Sequence, residues 1–242
     1  MSRRLKLYGL AGIALVSCCY AQAPRPVELH QRLAVSPGGS VVALTLDACS
    51  GGFDRTLIDY LIAQRIPATV FATRKWLRRN RAGISLLLLH PELFQIENHG
   101  MDHRPAVIGK DRQVYGITGH RNTAGLIREV LGGAAEITQH LGVAPRWYRG
   151  ATAVYDADAI KFIQGMGYGI AGFSVNADQG ATLSSAAIEG RLARVVNGDI
   201  IIAHMNRPDS DTAQGLQRGL DALARRGFHW VKLGNASVRA VP

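Results

Sequence analysis

Short apolar runs alternate with longer stretches in which apolar residues recur at helical spacing, and this alternation fills most of the 242-residue chain. The first run, Val41-Val42-Ala43-Leu44-Thr45-Leu46, is uninterrupted and β-prone, as expected of a strand buried on both faces. Leu57, Leu61 and Ile62 then share one helical face, and Pro67 stops that helix. The same reading predicts strands at 69–72, 94–97, 146–148, 169–173, 200–203 and 230–233. Helices are expected at about 75–89, 124–141, 157–166, 184–195 and 212–226, with Gly142, Gly167 and Gly227 closing three of them. Seven strands separated by helices imply parallel crossovers and an α/β fold, either a closed (β/α) barrel or an open doubly wound sheet. In both, functional groups collect at the C-terminal ends of the strands.

Ionisable residues do fall there. Asp47 follows the first strand, His99 and His103 the third, and Arg149 ends the fourth; Asp178 lies just past the fifth and His204 ends the sixth. In His99-Gly100-Met101-Asp102-His103, two imidazoles at i and i+4 can face one point if the segment turns helically. That pattern alone is weak, and its place directly after a buried strand strengthens it. Two histidines with an oxygen donor suit a divalent metal, Zn²⁺ first, with Co²⁺ or similar ions also fitting. Hydrolysis of an amide needs a base for water, a Lewis acid for the carbonyl and an acid for the leaving nitrogen, and Asp47 and His204 are candidates for the proton roles. Each residue also has a plainer reading. Asp47 suits a helix cap, His204 a core histidine, Asp178 a turn cap, and Arg149 either a surface cation or the partner that keeps a carboxylate ionised.

The start of the chain changes the picture of where the protein works. Arg3, Arg4 and Lys6 precede a nearly apolar stretch from Leu7 to Tyr20, and Ala21-Gln22-Ala23 has the form of a cleavage site. Residues 1–23 are expected to be a secretory signal peptide, too short in its apolar part for a permanent membrane span. Leu15-Val16-Ser17-Cys18 resembles a lipobox, which would instead tether the protein through a lipidated Cys18, and Ser2-Arg3-Arg4 hints at a twin-arginine signal. The expectation is a periplasmic or secreted protein, with the lipid anchor as the alternative. Cleavage after Ala23 would leave Cys49 without another cysteine to pair with, so the core must hold the fold. Residues 24–40, ending in Pro37-Gly38-Gly39, read as an irregular lead-in, and 41–242 as one domain, expected to be a monomer. The formal charge of +10 suits anionic polymers such as those of cell walls. No basic stripe with interleaved aromatics suggests nucleic acid.

At these residues the chain resembles the polysaccharide deacetylase family, the NodB-homology domain of carbohydrate esterase family 4. The resemblance runs over 41 to about 233 and covers five strand-end motifs in order. Thr45-Leu46-Asp47-Ala48-Cys49 stands for a Thr-Phe-Asp-Asp-Gly motif, which implies Asp47 as catalytic base and leaves Ala48 in the place of a metal-ligating aspartate. His99 and His103 match the His-Ser/Thr-x-x-His motif and are implied metal ligands, with Gly100 in the hydroxyl position. Trp147-Tyr148-Arg149-Gly150-Ala151 carries the arginine that braces the base, without the prolines that usually follow it. Val175-Asn176-Ala177-Asp178-Gln179 matches the fourth motif loosely, with Asp178 orienting the acid, and Ile202-Ala203-His204 places the general acid on His204.

The resemblance implies a distorted seven-stranded barrel and metal-dependent removal of N- or O-acetyl groups from a cell-wall or extracellular polysaccharide. Because Ala48 cannot ligate, Asp47 is expected at or beside the metal, with Asp54 a weaker candidate. Two other functions stay open on the sequence: a glycan-binding module that has lost turnover, and a hydrolase of another non-peptide C–N bond.

Overall fold

The computed structural model describes residues 25–234 and 236–241. The leader expected over 1–23, Cys18 included, lies outside the described residues. The molecule is organised around a curved parallel sheet. Along one path its strands run Gly169–Ile170, Trp147–Tyr148, Phe94–Asn98, Ala68–Ala72, Val41–Ala48, Ile200–His204 and Val175–Asn176. An eighth, His229–Val231, pairs with the N-terminal part of Val41–Ala48. Helices cover the outside: α1 (Arg55–Ala63), α2 (Arg74–Arg79), α3 (Arg81–Leu88), α4 (Thr123–Leu141), α5 (Ala157–Gly165), α6 (Ser185–Leu192) and α7 (Thr212–Arg225). This is the half-barrel form of the expected (β/α) fold.

Strand alternation sorts the core into two layers. Val42, Leu44, Leu46 and Ala48 pack outward with α1 and α7 residues such as Leu57, Leu61, Leu216 and Leu220. Ala43 points the other way, with Phe71, Tyr148, Ile170, Ile200 and Ile202 filling the barrel interior. Helix starts are capped by short polar side chains, as at Asp54, whose carboxylate accepts from the Leu57 N–H at 2.9 Å, and at Asn122 and Ser184.

Several elements differ from the sequence reading. The helix expected over 75–89 is two, broken at Asn80, whose amide group donates to the Gly51 and Trp76 carbonyls. The lead-in is not irregular throughout: Val27–Glu28 pairs with Val154–Tyr155, and Gln31–Leu33 with Val238–Ala240. The strand expected over 169–173 is confined to Gly169–Ile170, and Val175–Asn176 forms a separate one beside Ile200–His204. A small hairpin, Gln113–Val114 with Ile117–Thr118, stands where no element was expected.

Candidate active site

Register brings the site together before any side chain is considered. Ala48 pairs with Ala72, Ala72 with Asn98, and Asn98 with Tyr148. The residues that follow, Cys49, His99 and Arg149, therefore leave the sheet at one level. Backbone bonds from His99 N–H to the Ala72 carbonyl and from Arg149 N–H to the Asn98 carbonyl extend that tier. On the other side, His204 pairs directly with Asp47.

Asp47 is 4% exposed, and one of its oxygens accepts from Arg149 at 2.9 Å. The guanidinium is fully enclosed. It also donates to Thr45 Oγ1 and to the carbonyls of Ala171 and Gly172, and it lies 4.2 Å over the Phe71 ring. Burial alone would raise the Asp47 pKa, but the combined charges of Arg149, His99 and His204 outweigh it and hold the carboxyl below its ordinary range.

His204 is held from behind. Its Nδ1 lies 2.9 Å from Asp178, whose other oxygen accepts from the His204 backbone N–H and from the Thr212 hydroxyl. A carboxylate only accepts, so Nδ1 carries the proton and Nε2 is turned away from Asp178. Burial disfavours the imidazolium, yet Asp178, and secondarily Cys49, raise the His204 pKa well above its ordinary value. Asp178 in turn is lowered; its burial is outweighed by His204 and Thr212.

The metal candidates form a third group. His99 Nδ1 lies 2.6 Å from the Arg149 carbonyl, so that nitrogen carries a proton, and a cation at Nε2 would take the place of the second proton that Asp47 and Cys49 favour there. That Nε2 is 3.5 Å from Cys49 Sγ and 3.6 Å from the free oxygen of Asp47. The His99 and His103 rings approach to 5.0 Å between centroids. Donor atoms of Cys49, His99 and His103 all lie within 4.8 Å of one another, so this trio can hold a cation. Asp47 stands beside the trio. Asp54, the weaker sequence candidate, is committed elsewhere as the cap of α1. The Cys49 thiol, which burial would keep protonated, is drawn well below its ordinary pKa by His99 and by hydrogen bonds with His103, His204 and His99.

Helix α4 braces the histidine loop. Glu129, 2% exposed, accepts from the backbone N–H groups of Asp102 and Arg104, while Asn98 ties the Gly100 N–H to the Val130 carbonyl. Gly100 sits at φ +87°, and a Cβ there would run into Glu129. This explains why no hydroxyl residue stands between the histidines. His103 is itself left-handed, at φ 60°.

Asp47, Cys49, His103 and His204 all line one cavity of about 710 Å³, joined by Glu28, Tyr115, Thr152, Asn176, Gln179 and Asn206. All six residues singled out from the sequence thus meet at one rim: Asp47, His99, His103 and His204 around a shared centre, Arg149 and Asp178 directly behind it. The sequence reading gave no role to Cys49, Glu129, Asn98 or Thr212. For Cys49 a signal was present, since period two from Asp47 puts residue 49 on the same face.

The polysaccharide deacetylase family model matches residues 34–171. Comparison with curated protein sequences finds no match. Among solved structures, a carbohydrate esterase family 4 pseudoenzyme from Bacillus anthracis is similar at TM-score 0.67 and 16% identity, over 83% of this chain and 66% of that one, just under two thirds of its length. A peptidoglycan N-acetylglucosamine deacetylase superposes at TM-score 0.69 with 18% identity, covering 85% of this chain and 90% of that one. A family 4 acetyl xylan esterase from Clostridium thermocellum, solved with a cobalt ion, gives 0.65 and 18%, covering 81% and 89%. At these identities the structures establish the fold, and the family match spans more than half of the sequence. With five strand ends delivering the expected residues to one rim, the chain belongs to the polysaccharide deacetylase family.

Proposed function

We infer that the protein is a metal-dependent hydrolase that removes acetyl groups from an N- or O-acetylated polysaccharide. One observation carries this reading: an arginine-held carboxylate and an aspartate-held imidazole face the same cavity beside a convergent Cys/His/His group.

His99 and His103 would hold the divalent cation, Zn²⁺ or Co²⁺ by donor type, and the donor set present fits such an ion. When bound, the metal supplies Lewis-acid polarisation of the acetyl carbonyl and acidifies water. The remaining chemistry belongs to the chain. Asp47, kept ionised by Arg149, takes a proton from the attacking water. His204 delivers a proton from Nε2 to the departing nitrogen or oxygen. Asp178 holds the imidazole in the tautomer that can do so, and Thr212 fixes Asp178. The leader-like residues 1–23 support an exported protein, where acetylated wall or matrix polymers would be met.

The test is acetate release from N-acetylglucosamine oligomers and from acetylated xylan, with Zn²⁺ or Co²⁺ added. Release is expected, abolished by chelation, and lowered about 10²–10⁴-fold in His204→Ala. Saturable glycan binding without acetate from any substrate would overturn it in favour of a binding module. Ala48 favours that second reading, because a methyl group stands where the family places a ligating carboxylate.

A further inference from the structure

The missing carboxylate has a replacement one residue later. Ala48 cannot be the place from which a ligand reaches the cavity, for its side chain is fully buried in the outer layer against the helices. Cys49 has the opposite parity. It continues the inward series Thr45, Asp47, Cys49 along the central strand, and it leaves the sheet at the level of His99. Its Sγ lies 3.5 Å from His99 Nε2, the nitrogen left free by the Arg149 carbonyl, and its donor atom falls within 4.8 Å of those of both histidines. The residue is 9% exposed and lines the cavity, so an ion entering from solvent can reach it.

We propose that Cys49 supplies the third protein ligand, making this a thiolate–bis-imidazole metal site in which sulfur takes the part that an aspartate oxygen plays in the family motif. The proposal rests on the metal-dependent reading above and goes beyond it by naming the donor. Binding converts the thiol to a thiolate and releases its proton to solvent. The softer donor favours Zn²⁺ and Co²⁺ over Mg²⁺ and Mn²⁺, which prefer all-oxygen sites. It also leaves Asp47 to Arg149 and to proton transfer, so base and ligand are separate residues.

Cobalt reports on the donor without any turnover. The purified full-length protein, reduced and stripped of metal, is titrated with Co²⁺ and followed by absorption. A sulfur-to-cobalt charge-transfer band in the near ultraviolet is expected, together with visible ligand-field bands. Cys49→Ser should abolish the charge-transfer band and weaken Co²⁺ binding by at least about tenfold, in line with the sensitivity of such sites to lost supporting groups. The comparison also separates Cys49 from Cys18 and Cys19, which remain in that variant. An independent measurement needs no variant: iodoacetamide labelling of the wild-type peptide containing Cys49, read by mass spectrometry, should slow markedly when Zn²⁺ is present and be unaffected by Mg²⁺. Ligand-field bands without charge transfer, or labelling of Cys49 indifferent to Zn²⁺, would overturn the thiolate ligand while leaving a metal site on the histidines. Failure of the wild-type protein to bind Co²⁺ or Zn²⁺ at all would overturn both.

Discussion

At the scale of single residues, the site is a set of groups each held by a partner that decides its charge. Arg149 is the most constrained. Removing a fully buried guanidinium that donates to Asp47, Thr45 and two carbonyls strips the Asp47 carboxylate of its cation and the Ala171 and Gly172 carbonyls of these donors, while Thr45 keeps its bond to the Ile201 carbonyl. Arg149→Met is expected to destabilise the fold by about 3–5 kcal/mol, measured by denaturant unfolding. The Asp178–His204 pair sets a pH dependence. Asp47 is lowered and His204 raised, so kcat/KM should fall on the acid side as Asp47 protonates and on the alkaline side as His204 loses its proton. Asp178→Asn removes the principal cause of the His204 shift, and the alkaline limb should move to lower pH; an unmoved limb would detach Asp178 from the acid. At position 48, Ala48→Asp places a carboxylate among Leu57, Leu61 and other apolar side chains. It should lower thermal stability without strengthening metal binding, as read by calorimetry and metal titration.

At the scale of elements, the central strand and α4 do most of the positioning. The strand presents its inward residues to the cavity, and α4 holds the loop carrying both histidines through Glu129 and Asn98. Gly100→Ser would reinstate the family's hydroxyl residue but force a side chain into left-handed backbone against Glu129. A loss of about 1–3 kcal/mol and weaker metal binding are expected, checked by thermal unfolding with and without Zn²⁺. These contacts also show what was legible from sequence. Buried parallel strands announce themselves by continuous apolar runs, so Val41–Ala48, Ala68–Ala72, Phe94–Asn98 and Ile200–His204 were readable, and with them Asp47, His99 and His204. Two-residue strands such as Val175–Asn176 carry no periodicity to detect. The strands at 27–33 exist only because distant segments, 154–155 and 238–240, lie beside them. Glu129 and Asn98 were invisible for the same reason, being partners across tertiary contacts. Cys49 was legible in principle by parity, but its usual reading as an isolated thiol hid it.

At the scale of the whole molecule, a cavity of about 710 Å³ opens where the central strand delivers Asp47 and Cys49 and the neighbouring strand His204. Stability should vary with pH through His120, a buried histidine that does not line the cavity. Burial, then the charge of Arg104, lowers the His120 pKa from 6.5 to about 4, and its Nε2 has no hydrogen-bond partner. The folded state thus prefers neutral imidazole, while the unfolded chain takes up the proton first. Stability is full above about pH 6.5 and declines as pH falls toward 4, at no more than about 1.4 kcal/mol per pH unit. His120→Gln should flatten that slope in a pH series of unfolding curves. On the proposed metal site, Zn²⁺ at one hundred times its Kd should add at most about 2.7 kcal/mol, less whatever it gains by binding histidines and cysteines of the unfolded chain.

The claim beneath all of this is that strands distant in sequence converge to grip one cation between the two histidines and Cys49, beside Asp47 and His204. Diffraction from Zn²⁺-soaked crystals at the zinc absorption edge tests it most directly. A single strong anomalous peak is predicted at about 2.0–2.1 Å from nitrogens of His99 and His103 and about 2.3 Å from Cys49 Sγ. An anomalous map with no peak at that trio, from crystals that hold zinc elsewhere, would contradict it.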